Sequence, residues 1–197
     1  MSTAPLTREA RKEQTRAAIV AAATKLFASH GIEATSLDRI AKEVGLTKGA
    51  IYSTFASKDE LVEAVASANS ISVGEGVLFD PSISIKEVLR WFANELMVVR
   101  KKLTRDQFAL FLELHLYERR HASWGKRMAA ENRAAMLEEL PRLEQTMKER
   151  GESLAIPMDE FYTALNALAI GVVIQLERDP NSLSADSVLR MFESLAE

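Results

Sequence analysis

The chain has 197 residues, 47% of them hydrophobic and 27% charged, with a net charge of −3. That composition supports a packed core and argues against intrinsic disorder, and the absence of cysteine excludes disulfides, zinc–thiolate sites and cysteine nucleophiles. Charge is unevenly spread: residues 1–60 hold nine Lys and Arg against seven Asp and Glu, a net +2, and the remainder is net −5, so a polyanionic partner is expected at the N-terminal third.

Helical periodicity dominates and no strand alternation is convincing. The first expected helix carries Ile19, Ala22, Ala23, Leu26 and Phe27 on one stripe and ends at His30-Gly31, with Gly31 available as a left-handed cap. Thr35 is the expected N-cap of a short second helix, with Asp38 three residues on and Leu37, Ile40, Ala41 and Val44 as its apolar face. Gly45 breaks it, and Thr47 caps a third helix expected over Lys48 to Phe55, with Ile51 and Phe55 inward. Ser57 and Glu60 form a capping-box pattern for a fourth helix through Leu61 and Val65.

Residues 69–82 are rich in Ser and Gly and include Pro81, so a module boundary is expected there, dividing the chain into 1–68 and 69–197. Beyond it, Ser84 with Glu87 opens a helix whose stripe is Ile85, Val88, Leu89, Phe92, Leu96 and Val99. Thr104 with Gln107 opens another, with Phe108, Phe111, Leu112, His115 and Leu116 as its apolar face. The segment from Ala122 to Arg150 is more polar, and Pro141 should kink or divide it. Pro157 suits the first turn of a helix carrying Phe161, Leu165, Leu168, Val172 and Leu176, and a last helix starts near Ser184. The fold class expected is all-α: an N-terminal three-helix helix-turn-helix module, then a C-terminal helical domain. Met1–Gln14 has no apolar core of a signal peptide, and the most apolar stretch, Ala164–Leu176, is shorter than the roughly 20 residues that span a bilayer. A cytoplasmic protein without a membrane partner is therefore expected.

Two short helices around a Gly-containing turn have the geometry of a DNA reader, the second lying in the major groove. Gly49 and Ala50 are small enough for close approach, and a small apolar side chain can meet a thymine methyl. Lys48 can reach a phosphate or a guanine, and Tyr52, Ser53 and Thr54 offer hydroxyls to phosphates or bases. Lys58 adds a cation at the next helix start; Thr35, Ser36 and Thr47 stand at helix N-termini suited to phosphate. Arg8, Arg11 and Lys12 are either an arm into the adjacent groove or a solvated tail.

The run Leu46-Thr47-Lys48-Gly49-Ala50-Ile51-Tyr52-Ser53-Thr54-Phe55-Ala56-Ser57-Lys58-Asp59-Glu60-Leu61 resembles the tetracycline-repressor family of bacterial regulators, as does the lead-in from Ala21 through Phe27, Gly31, Thr35 and Val44-Gly45. The likeness covers roughly residues 10–62; beyond that only length and helical layout agree. It implies an all-helical homodimer on a palindromic double-stranded DNA operator, acting as a repressor and released by a small-molecule inducer. By position it implies backbone contacts from Lys48, Tyr52 and Lys58, base-facing Gly49, Ala50 and Thr54, and a core Phe55. The family often has an aromatic residue and a histidine where this chain has Ser53 and Thr54, so the operator sequence does not carry over.

In the C-terminal domain, the last two helices are apolar on more than one face. Leu165, Leu168, Ile170, Gly171, Ile174, Val188, Leu189 and Phe192 are the expected dimer interface, with Gly171 allowing close approach. Trp91, Phe92, Phe108, Phe111, His115, Tyr117, Trp124, Phe161 and Tyr162 are the candidates for lining a pocket for an apolar or aromatic inducer. No catalytic residues, metal or cofactor are expected. Glu118 and His121 make a single E-x-x-H, whereas di-iron chemistry in a helical bundle needs two.

Overall fold

The computed structural model describes residues 7–69 and 83–196. Its helices are α1 (Arg8–His30), α2 (Leu37–Glu43), α3 (Lys48–Tyr52), α4 (Lys58–Ala68), α5 (Ile85–Lys102), α6 (Arg105–Arg120), α7 (Ala122–Arg150), α8 (Met158–Arg178) and α9 (Ala185–Glu193). The fold is all-α; among the described residues the one extended pairing is an isolated bridge between Leu154 and Ala196. None of the described helices is long and apolar enough to cross a membrane. The expected boundary segment 69–82 lies, apart from Asn69, outside the described residues.

Contacts group the described residues into two units that are discontinuous in sequence: 7–69 with 104–129, and 83–103 with 130–196. In the first, α1 packs against α2, α4 and α6, and α2 packs against α3. Its core holds the expected α1 stripe together with Ile32, Leu37, Ile40, Ala41, Ile51, Phe55, Leu61, Val62 and Val65. The side chains of Leu110, Tyr117 and Trp124 complete that core. In the second, α5 packs against α8 and α9, and α8 against α9. The Phe92 and Phe192 rings meet there at 5.3 Å between centroids.

Caps explain where the helices begin. Thr7, Ser36, Thr47, Ser57, Ser84, Thr104 and Ser184 each accept a backbone N–H two or three residues inside the helix they open. The boxes Ser84/Glu87 and Thr104/Gln107 are complete. At α4 the Glu60 carboxylate reaches one residue further back than the expected box, to the Ala56 N–H at 2.6 Å.

Five expectations are corrected. Ser36, not Thr35, caps α2; Thr35 is fully buried and donates its hydroxyl to the Gly31 carbonyl at 2.8 Å. The third helix stops at Tyr52 instead of Phe55. Gly31 takes φ 84°, ψ 152°, an extended positive-φ shape and not the left-handed helical cap. Of the kink or division expected at Pro141, division is excluded, because α7 runs through it. The buried face of α6 is Leu110 and Tyr117, whereas Leu112, His115 and Leu116 are exposed.

Candidate nucleic-acid interface

The turn between α2 and α3 is made by Gly45, at φ 68°, with Leu46 N–H donating to the Ala41 carbonyl at 2.8 Å. Ile51 and Phe55 are fully buried and pin α3 to the core, and the Arg16 guanidinium lies 4.5 Å above the Phe55 ring. With those two residues inward, Thr47, Lys48, Gly49, Tyr52 and Ser53 face outward, and Ala50 and Thr54 are half-buried. Tyr52 keeps 49% of its surface exposed, so its ring is available to a partner and is not core packing.

The hydroxyls differ in what they have left to give. Ser53 donates to the Ala50 carbonyl at 2.8 Å and Thr54 to the same oxygen at 3.1 Å. Each remains able to accept, and only rotation away from Ala50 would free a donor. Thr47 and Ser36 are exposed caps. Thr35 leaves the DNA-facing set, because a fully buried hydroxyl bonded to Gly31 cannot reach a phosphate.

Cations on this surface are held by neighbours that periodicity does not reveal. Lys48 Nζ is 3.0 Å from the Asp38 carboxylate, whose hydrogen bond raises the lysine pKa. Lys58 Nζ sits 3.4 Å from the Glu33 carbonyl. The Arg39 guanidinium is 2.7 Å from His30 Nε2. Arginine only donates, so Nε2 accepts and the His30 proton sits on Nδ1, which donates to Ser29 Oγ at 2.7 Å. Arg8, Arg11 and Lys12 are neither a free arm nor a tail, but exposed residues in the first turns of α1. Local sequence gives Asp38 and His30 only helix-end positions and singles out no role for Arg39; their pairings join residues nine and ten apart across a turn, beyond any local pattern.

Behind the reading surface, α6 and the start of α7 clamp the module within the same unit. Tyr117 is buried and its hydroxyl donates to the Asp59 carboxylate at 2.5 Å. Burial and that bond push the phenol pKa far up. The Tyr117 ring stacks on His121 at 3.9 Å and meets Trp124 edge-on at 5.4 Å. His121 Nε2 bonds the Glu33 carboxylate at 2.6 Å and holds it below the usual carboxylate range. The Glu113 carboxylate accepts the Ile32 N–H at 2.9 Å. We expect Tyr117→Phe to cost about 1.5–3 kcal/mol, the range for hydrogen bonds to charged groups. Urea denaturation checks this, and an unchanged midpoint would show that the hydroxyl contributes nothing.

The predicted pocket residues separate. Tyr117 and Trp124 belong to the core of the first unit and are corrected from pocket lining to structural packing. Phe92 and Phe161 are buried in the second unit, beside a half-buried Tyr162 and an exposed Trp91. Phe108 and Phe111 are half-buried, 6.2 Å apart, with His115 exposed and bonded to the Phe111 carbonyl. Of the predicted dimer residues, Leu165, Val188 and Phe192 are buried within this chain's own core and have no surface to offer a partner. Gly171 and Ile174 are exposed, and Leu168, Ile170 and Leu189 are half-buried. Among the described residues no group of three metal-binding side chains is found.

Residues 19–65 match the family model described as bacterial regulatory proteins, tetR family. The chain is 29% identical over 154 residues to the HTH-type transcriptional regulator AcrR of Shigella flexneri, covering 75% of this chain and 69% of that protein. It is 26% identical over 181 residues to the HTH-type transcriptional repressor AcnR of Corynebacterium diphtheriae, covering 90% and 89%. A crystal structure of a TetR family transcription regulator from Marinobacter aquaeolei shares the fold, with a TM-score of 0.67 at 21% identity, covering 97% of this chain and all of that one.

Proposed function

We propose that this chain, whose residues 19–65 match the tetR family of bacterial regulatory proteins, is a ligand-responsive repressor of that family that binds a palindromic operator as a homodimer and leaves it when a small-molecule inducer binds. The observation that carries this reading is the short helix α3, pinned by buried Ile51 and Phe55 while Lys48, Gly49, Tyr52 and Ser53 face solvent. Small residues beside hydroxyls and a cation suit close approach to base edges and phosphates.

Dimerisation is supported by α8, which leaves Gly171 and Ile174 exposed on one face, and by half-buried Leu189 in α9. A two-fold pairing there would present two reading helices at once. Half-sites lie about 34 Å apart, one helical turn of DNA, so a small change in helix spacing suffices to release the operator. An inducer works only by preferring the conformation with the wrong spacing. Within the first unit, the half-buried aromatics Phe108 and Phe111 favour an apolar or aromatic inducer.

The test is a gel-shift titration on the DNA upstream of the protein's own gene, with scrambled competitor, at several salt concentrations. Competitor-resistant binding that weakens with salt is expected. Lys48→Ala should weaken operator binding and flatten the log–log salt slope by about 0.9, the value for one lost phosphate contact. Salt-insensitive capture of a protein instead of DNA would identify the module as a protein-binding hairpin and overturn the reading.

A further inference from the structure

The exposed surface of the helix-turn-helix carries an acid where a polyanion must approach. Asp38 stands in the first turn of α2, and its carboxylate Oδ2 is 3.0 Å from Nζ of Lys48, the first residue of α3. Both side chains are open to solvent, Asp38 at 60% and Lys48 at 56%. The pair therefore has no core to satisfy. Its effect is to place a carboxylate beside the ammonium of the first residue of α3, on the side of the module where α2 and α3 both begin.

Such a carboxylate has two consequences for DNA. Unpaired, it would repel the phosphate rows. Paired, it occupies the ammonium that would otherwise displace counterions, so the pair adds no net cation to the contact. Lys48 turns to a phosphate at the least cost where Asp38 receives another donor in exchange, because the carboxylate left behind otherwise faces the phosphate rows bare. In the major groove the donors are the N4 amino group of cytosine and the N6 amino group of adenine.

We propose that Asp38 is a specificity-determining residue: it withholds Lys48 from the phosphates of non-operator DNA and releases it where a cytosine or adenine amino group takes the ammonium's place. The inference rests on α3 reading DNA as set out above. It makes the operator contain a cytosine or adenine under Asp38 in each half-site. It also assigns Asp38 the suppression of non-specific binding, which a count of positive charge would miss.

The experiment uses the full chain. A random-library selection defines the preferred sites of the wild type and of Asp38→Ala. Both proteins, with Lys48→Ala and the double variant, are then titrated on the wild-type operator and on a non-operator duplex of equal length across a salt series. Asp38→Ala should bind non-operator DNA about tenfold tighter at low salt, with a salt slope steeper by about one, because one free cation has been added. Its selected consensus should lose one cytosine or adenine position per half-site. In the double variant the added slope should vanish, since Asp38 acts on non-operator DNA through Lys48. Asp38 is exposed, so its alanine variant should melt as the wild type does. A wild-type slope and affinity on non-operator DNA, or a consensus unchanged at every position, overturns the proposal. A wild type that enriches no sequence removes the DNA-reading premise and the inference with it, an outcome distinct from a selective wild type matched by its Asp38→Ala variant.

Discussion

Replacing Phe55 by alanine is expected to destabilise the first unit by about 3–5 kcal/mol, the range for deleting a buried phenylalanine ring. Phe55 is fully buried, follows α3 by three residues, and is covered by the Arg16 guanidinium. Together with Ile51 it is what holds a five-residue helix in place, since so short a helix has no stability of its own. The loss should therefore appear twice. Urea denaturation should show the lowered midpoint, and the gel shift should show weaker DNA binding even at temperatures where the chain remains folded. Phe55→Leu keeps most of the volume and should cost less than about 1.5 kcal/mol. If Phe55→Ala matched the leucine variant in both measurements, α3 would have to be anchored by something other than this ring.

Gly31→Ala should be the most damaging of the glycine substitutions within residues 7–69. At φ 84°, ψ 152° the backbone occupies a region that is essentially glycine's alone, and forcing alanine into it costs about 1–3 kcal/mol. The new methyl would also stand 3.1 Å from the Glu113 carboxylate, which accepts the Ile32 N–H. Displacing that carboxylate strips a partner from the chain just where it leaves α1 for α2. Gly45 provides the comparison: its φ is 68°, but nothing lies within 4 Å of a Cβ there. Gly45→Ala should cost about 1–2 kcal/mol, the left-handed penalty alone. Placing Gly31→Ala in a Glu113→Ala background separates the two contributions. If the cost is unchanged there, backbone strain accounts for all of it, and the crowding of Glu113 contributes nothing.

The region around α3 was legible in the sequence because its determinants are local. A cap needs a Ser or Thr within three residues of the N–H it accepts, and an apolar stripe needs only the 3.6-residue repeat. Both features fall inside one window at α1, α4 and α5. Local patterning was less decisive where several residues could do the same task. Thr35 and Ser36 are adjacent hydroxyls, and either could cap α2. The backbone turned Ser36 outward to the helix and drew Thr35 inward to the Gly31 carbonyl.

Helix α6 shows the same limit on a larger scale. Phe108, Leu110, Phe111, Leu112, Leu114 and Leu116 place apolar groups all around it, so periodicity offers more than one stripe. The structure chose Leu110 and Tyr117 because α1 packs on that side and Glu113 finds the Ile32 N–H there. That choice moved Tyr117 and Trp124 from an imagined ligand pocket into the core of the reading module. In α8 and α9 likewise, Leu165, Val188 and Phe192 could have served a partner chain equally well by composition, and burial within their own unit took them out of reach.

The sequence by itself thus determined the all-helical class, the caps Thr47, Ser57, Ser84 and Thr104, and the helix-turn-helix with its outward Lys48, Gly49, Tyr52 and Ser53, because each depends on residues a few positions apart. Tertiary structure alone decided that Asp38 holds Lys48, that His30 holds Arg39, that residues 104–129 join the N-terminal unit, and which of several apolar faces became core. The reason is physical: a hydroxyl, a cation or an apolar face is defined by its own residue, but its partner is whichever group the packing brings within reach.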